Sequence, residues 1–206
     1  MTMEIVKPHE IEKRSFEIIT EILGDKVLDL ENEAIIKRCI HTSADFDYAE
    51  NLYFSDGAAQ RLKEALKQGA DIVTDTMMAR AGINKTRLTQ YGGQVHCFMA
   101  DEDVARTAAE RGVTRAAVCM EKASALKKPV VIAVGNAPTA LIRLRELIEA
   151  GSISPIGIIA VPVGFVNVVE SKDLIMSLEI PCIVAKGRKG GSNIAAAICN
   201  ALLYVE

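Results

Sequence analysis

The chain has 206 residues, of which 50% are hydrophobic and 25% are charged. This balance is that of an ordinary globular protein, and the length suffices for one domain with a sizeable core. Since the formal net charge is only −3, electrostatics give no reason to expect nucleic acid or an anionic membrane as a partner. We therefore predict a single domain over residues 1–206, in which any anionic ligand is held by local cations.

The sequence carries no pattern typical of export or membrane insertion. Its first residues become charged at once, without the apolar core of a secretory signal. The longest apolar stretch, around Ile156 to Val163, is too short to span a bilayer. We expect a cytoplasmic protein whose five cysteines, scattered and without a CxxC pair, are buried reduced thiols. They are Cys39, Cys97, Cys119, Cys182 and Cys199.

In chain order, the first predicted element is an amphipathic helix from Glu10 to Leu23, and an irregular stretch follows it up to about residue 50. Farther along, five short runs rich in Val and Ile are apolar without alternation, as strands buried on both faces are. These predicted strands are Ala70–Val73, Val95–Met99, Pro129–Val134, Ile156–Val161 and Pro181–Ala185.

Segments with a helical period lie between and after these strands, several of them with a capping residue at the start and a glycine at the end. The predicted helices are Ser55–Gln68, Asp101–Arg111, Thr114–Lys127, Thr139–Ala150, Asn167–Leu178 and Asn193–Leu203. Strands that alternate with helices of this length indicate an α/β fold. We predict a doubly wound, mostly parallel sheet of five to six strands with helices on both faces.

Polar residues and glycines follow four of the predicted strands. These loops are Thr74–Thr76, Gly135–Ala140, Pro162–Lys172 and Lys186–Asn193. In an open α/β sheet, ligands bind beyond the carboxyl ends of the strands. The four loops therefore predict one pocket at this edge. An aspartate or threonine after a strand also caps helices often, so a structural role for Thr74 and Asp75 stays open.

The last of these loops carries three cations, Lys186, Arg188 and Lys189, directly before the glycines Gly190 and Gly191. Free backbone N–H groups at a helix start, with cations nearby, favour a carboxylate or a phosphate. A glycine turn with solvated charges is the equally weighted alternative. Neither GxxxxGK[ST] nor GxGxxG occurs, which argues against a nucleotide-dependent enzyme.

Three histidines, His9, His41 and His96, lie far apart in the sequence without a partner at metal-binding spacing. His96 lies in a predicted strand and is expected to be a satisfied core residue, and His9 is expected at the surface. His41 lies in the irregular stretch among polar residues, where an imidazole suited to acid–base chemistry can be oriented. From these observations alone, a catalytic and a structural role for His41 are equally supported.

Six segments in order then give the sequence a recognisable pattern. They are IEKRSFEII (Ile11–Ile19), RCIHTSADFDYA (Arg38–Ala49), VTDTMMARAGI (Val73–Ile83), VGNAPTAL (Val134–Leu141), PVGFVNVVESK (Pro162–Lys172) and KGRKGGSNIAAAICNAL (Lys186–Leu202). With them, the sequence resembles the precorrin-8X methylmutase family along nearly its whole length.

The resemblance implies an isomerase of cobalamin (vitamin B12) biosynthesis. A methyl group would migrate within the corrin ring from C-11 to C-12 of precorrin-8X or cobalt-precorrin-8, giving hydrogenobyrinate or cobyrinate. No cofactor and no metal of the protein's own is implied. The family's catalytic histidine falls on His41, whose imidazolium would protonate the ring C region and ease a 1,5-sigmatropic shift. The family also implies a homodimer with sites shared between subunits, and the very apolar last helix gives mild support, although its burial within one chain is the simpler explanation.

The implied substrate is a flat tetrapyrrole fringed by carboxylates, which suits local cations on an otherwise acidic protein. The candidate substrate-binding residues are Arg14, Ser15, Thr42, Asp75, Gly135, Asn136, Thr139, Lys186, Arg188, Lys189, Gly190, Gly191 and Asn193. A corrinoid-binding carrier without catalysis is the alternative, since it would bind the same molecules. The sequence leaves open whether the natural substrate contains cobalt.

Overall fold

The computed structural model describes residues 5–204 and contains six strands in one sheet. The strands are β1 (Leu52–Phe54), β2 (Asp71–Thr74), β3 (Val95–His96), β4 (Val130–Val134), β5 (Gly157–Ala160) and β6 (Cys182–Ala185). Their order across the sheet is β1-β6-β5-β4-β2-β3, and every pair is parallel except β1 with β6. The predicted α/β fold with a mostly parallel sheet is confirmed.

The helices, after a short 3-10 turn at Pro8–Glu10, surround this sheet. They are α1 (Ile11–Leu23), α2 (Glu33–Ser43), α3 (Tyr48–Asn51), α4 (Ala58–Lys67), α5 (Met77–Gly82), α6 (Lys85–Gln90), α7 (Glu102–Arg111), α8 (Arg115–Ala123), α9 (Pro138–Glu149), α10 (Val168–Met176) and α11 (Ser192–Tyr204). Successive residues of a strand point to opposite faces of a sheet. In β4, Val131 and Ala133 join a core with α1, α2, α4 and α11, while Ile132 and Val134 join a second core with α7 to α10.

The sequence predictions failed at short elements and in the region before β1. Strand β1 was not predicted, because its three half-buried residues form an antiparallel edge too short to show a pattern. Strand β3 is only two residues long, against a predicted run to Met99. Helix α2 replaces much of the expected irregular stretch, and its apolar face is formed by Ile35, Ile36, Cys39 and Ile40.

Helix α11 is buried within the chain itself. Nine of its residues are buried, and it packs against α2, α4 and α5. The simpler explanation of its apolar sequence is therefore confirmed, and α11 no longer argues for a dimer. Within residues 5–204, no helix is both long and apolar enough to cross a membrane.

Candidate active site

Asp75 joins two of the loops at the carboxyl edge of the sheet. It directly follows β2, and its carboxylate accepts backbone hydrogen bonds from Gly135 (2.8 Å), Asn136 (2.8 Å) and Ala137 (2.7 Å) in the loop after β4. The side chain is buried, and burial raises the pKa of Asp75 above its usual value although the three amides oppose the shift. Gly135 and Asn136 are two of the candidate substrate-binding residues, and their amides are thus bound to Asp75.

The start of α11 closes against the same loop. A Cβ atom on Gly135 would lie 2.7 Å from the Cα atom of Ser192, so only glycine allows this approach. The Ser192 hydroxyl is 2.7 Å from the Thr76 hydroxyl, which also accepts a hydrogen bond from the Ala79 amide and caps α5. The ends of β2 and β4 and the start of α11 therefore form one connected backbone surface.

The glycines after β6, Gly190 and Gly191, pack closely against Val161 at the end of β5. The Gly191 amide donates to the Val161 carbonyl (2.9 Å), and a Cβ atom on Gly190 would lie 2.1 Å from that same oxygen. Asn193 is exposed in the first turn of α11. The predicted cluster of loops at one edge of the sheet is therefore present.

Three exposed cations extend from this cluster. Lys189 bonds to Asp45 (2.6 Å) and Asp47 (2.5 Å), and these carboxylates raise the pKa of Lys189. The Lys186 ammonium lies 4.9 Å from the centre of the Tyr53 ring, and Arg188 is exposed between them in sequence. An exposed surface of this kind suits a ligand with several carboxylates.

His41 lies in the last turn of α2, not in a loop as predicted. The buried face of α2 includes Cys39 and Ile40, which leaves His41 and Thr42 exposed. The chain then runs directly into Asp45 and Asp47, the partners of Lys189. His41 is thereby held at the end of α2 that meets the cationic loop.

Charged and aromatic side chains surround His41 at the carboxyl end of α2. The ring centre of His41 is 5.4 Å from that of Phe16, which the Arg38 guanidinium covers at 5.0 Å. A hydrogen bond from Arg38, with a smaller contribution from His41, holds the pKa of Glu12 below its usual value. An exposed imidazole at this position can exchange a proton with a bound ligand.

Three predicted binding residues form contacts away from the cluster of loops. The Ser15 hydroxyl donates to the Ile11 carbonyl within α1, and Arg14 forms ion pairs with Glu17 and Glu21 of the same helix. The Thr139 hydroxyl is 2.8 Å from that of Thr114, the residue that caps α8. None of these contacts links them to the loops around Asp75.

Sequence reasoning missed Lys172, which is 1% exposed in α10. Its ammonium donates to the carbonyls of Gly187 (2.8 Å) and Lys189 (2.9 Å). The signal was present in the helical period, because Val168, Lys172 and Ile175 recur at the spacing of one buried stripe.

Comparisons with known proteins agree on one family. The family model described as precorrin-8X methylmutase matches residues 10–205. The chain is 45% identical to cobalt-precorrin-8 methylmutase of Salmonella typhimurium, covering 97% of this chain and 96% of that protein. It is 40% identical to precorrin-8X methylmutase of Pseudomonas aeruginosa, covering 84% and 83%. The crystal structure of precorrin-8x methyl mutase from Thermus thermophilus is similar with a TM-score of 0.84 and 36% identity, covering 94% of this chain and 96% of that one.

Proposed function

The chain belongs to the precorrin-8X methylmutase family and is an isomerase of cobalamin biosynthesis, and from this premise we propose its reaction and its residues. The substrate is precorrin-8X or its cobalt complex, and a methyl group moves from C-11 to C-12 of the ring. The shift is intramolecular, so the protein has to supply a proton donor and a shaped, charged pocket. It needs no nucleophile.

His41 is the proton donor in this proposal. The observation that carries it is the exposed imidazole at the carboxyl end of α2, held by the contacts of Asp45 and Asp47 with Lys189 beside the cationic loop. Protonation near ring C withdraws electron density from the carbons between which the methyl group moves. A positioned general acid contributes roughly a hundredfold to ten-thousandfold in rate.

The exposed cations Lys186, Arg188 and Lys189 bind the peripheral carboxylates, with Arg14, Ser15, Thr42, Thr139 and Asn193 as further candidates. For Asp75 we propose the structural role that the sequence left open. Its buried carboxylate sets the backbone of the loop after β4, against which the glycine loop packs. Asp75 therefore positions the site and does not itself meet the substrate.

We propose that the protein acts in the cytoplasm as a homodimer with shared sites. Support comes from the exposed apolar side chains of Ile11, Ile18 and Ile22, which recur along one side of α1, the helix next to His41. Light scattering after size exclusion should give a mass of two chains, and a monomer at micromolar concentration would contradict the dimer.

Turnover separates the isomerase from the corrinoid carrier. The purified protein is incubated with enzymatically prepared precorrin-8X and, in parallel, with cobalt-precorrin-8. We expect the absorption spectrum to change to that of the rearranged product without a change in mass, and the preferred form identifies the natural substrate. Binding of both forms without conversion would support the carrier instead.

The role of His41 is tested by His41→Ala. We expect turnover to fall at least a hundredfold while the Kd for cobyrinate, measured by absorbance titration, changes less than threefold. His9→Ala is the matched control, because His9 is exposed and lies before α1. Turnover retained by His41→Ala would exclude the proton-donor role.

A further inference from the structure

Lys172 is a buried ammonium without an acidic partner. No carboxylate of residues 5–204 lies within ion-pair distance, and the ammonium donates hydrogen bonds to two backbone carbonyls, those of Gly187 and Lys189. Burial lowers the pKa of Lys172 to about 8. A buried charge without a counter-ion is costly, so stability alone does not account for a lysine at this position.

The two carbonyls lie on either side of Arg188. The carbonyl of Arg188 itself accepts a hydrogen bond from the Gly164 amide (3.2 Å), and the Gly191 amide is bound to Val161. Hydrogen bonds from the loop after β5 and from α10 therefore fix the backbone that carries the exposed cations. The side chains of Lys186, Arg188 and Lys189 extend from this fixed backbone to the surface.

We propose that Lys172 is a positioning residue for substrate binding, which holds residues 187–189 so that the cations of this loop meet the substrate carboxylates. This inference rests on the proposed function of the loop.

The test compares Lys172→Met, Arg188→Gln and the double variant. Met has a similar length but no charge and no N–H donor. We expect Lys172→Met to raise both KM and the Kd for cobyrinate about tenfold, while kcat stays within threefold of the parent value. If Lys172 acts through Arg188, the double variant is little worse than Arg188→Gln, since the two effects are not additive. Lys172→Arg, which keeps a charged donor, should restore binding to within threefold.

Ser171→Ala is the matched control. Ser171 is the equally buried neighbour in α10, and its hydroxyl donates to Val168 within the helix, away from the loop. It should lower the melting temperature without changing Kd. Kd values that follow the melting temperature across all variants, or fully additive effects in the double variant, would overturn the proposal.

Two further outcomes are also decisive. If neither Lys172→Met nor Lys172→Gln folds, Lys172 is a residue of the fold and the proposal is wrong. If the parent protein binds cobyrinate but does not convert precorrin-8X or cobalt-precorrin-8, the proposed reaction fails. The Kd comparison among the variants still decides the role of Lys172 in that case.

Discussion

Buried charged groups at the two ends of the central strands have pKa values shifted in opposite senses. At the amino end of β2, Asp71 is surrounded by cations and donors: His96 (2.9 Å), Lys128 (3.0 Å) and the Gln94 amide (2.9 Å). Burial alone would raise the pKa of Asp71, but these hydrogen bonds outweigh it and lower the pKa. At the carboxyl edge, the pKa of Asp75 is raised and that of Lys172 is lowered, each mainly by burial.

The difference distinguishes an edge arranged for stability from the edge at which we propose that substrate binds. A charge whose pKa shift favours its ionised form adds to the free energy of unfolding, whereas one shifted toward neutrality subtracts from it. Groups whose pKa is shifted toward the neutral form are frequent at functional sites. The amino edge therefore stabilises the sheet, and the carboxyl edge gives up some stability to hold the loops that carry the cations.

Among the substitutions that test this contrast, Gly190→Ala should have the largest effect on stability and turnover. Its Cβ atom would lie 2.1 Å from the Val161 carbonyl, so the backbone of the cationic loop has to move. We expect a loss of about 3 kcal/mol in the free energy of unfolding, from urea denaturation, and a fall in turnover of more than a hundredfold.

Gly187→Ala is the control in the same loop. Gly187 has a φ of +74° but open space around the added methyl group, so alanine meets only the left-handed backbone conformation, at a cost of roughly 1–2 kcal/mol. Equal effects of the two variants would show that the close approach of Gly190 to β5 has no special importance.

Asp75→Asn should have the next largest effect. One oxygen of Asp75 accepts from Gly135 and the other from Asn136 and Ala137. An amide offers a single oxygen, so at least one buried backbone N–H loses its acceptor, at a cost of about 2 kcal/mol. Because the same loop packs against the start of α11, we expect kcat/KM to fall at least tenfold as well. Unchanged turnover in a destabilised variant would exclude the positioning role of Asp75.

The sequence predicted the cluster of loops at one edge of the sheet better than it oriented the side chains within that cluster. The apolar runs identified the parallel strands, and the rule for carboxyl ends then placed the loops around Asp75 and Gly190 at one edge. His41 was assigned to a loop because the polar residues after it obscured the apolar stripe of α2. The direction of the Asp75 carboxylate depends on a contact some 60 residues away along the chain, which no local pattern records.

The histidines and cysteines show that the sequence predicts the burial of a side chain only in part. His9 is exposed as predicted, and His96 is hydrogen bonded to Asp71 as predicted, but His96 is only partly buried and is not a core residue. All five cysteines are free thiols, but Cys97 is only partly buried, because β3 ends at His96 and the chain leaves the sheet there. Lys172 was overlooked because a lysine in a helix is ordinarily solvated, and only its position on the buried stripe contradicts that expectation.

Asp71→Asn tests the stabilising edge and should have the smallest effect. It removes the charge that His96 and Lys128 face, and since Lys128 is half-exposed we expect a loss of only about 1.5 kcal/mol. Turnover should be unchanged, because the substitution lies at the end of β2 opposite Asp75. Asp56→Asn, at an exposed position, is the control and should change neither quantity.

The stabilisation by the Asp71 charge should depend on pH. The folded-state pKa of Asp71 lies below its unfolded value of about 3.9. Its contribution to stability is therefore complete well above pH 3.9 and disappears as the pH falls through the folded pKa. The parent and Asp71→Asn should differ in free energy of unfolding at pH 7, and this difference should begin to shrink below about pH 3.9 and disappear below the folded-state pKa. A difference that does not shrink below about pH 3.9 would mean that Asp71 stabilises by packing and not by charge, and the contrast between the two edges would then rest on the carboxyl edge alone.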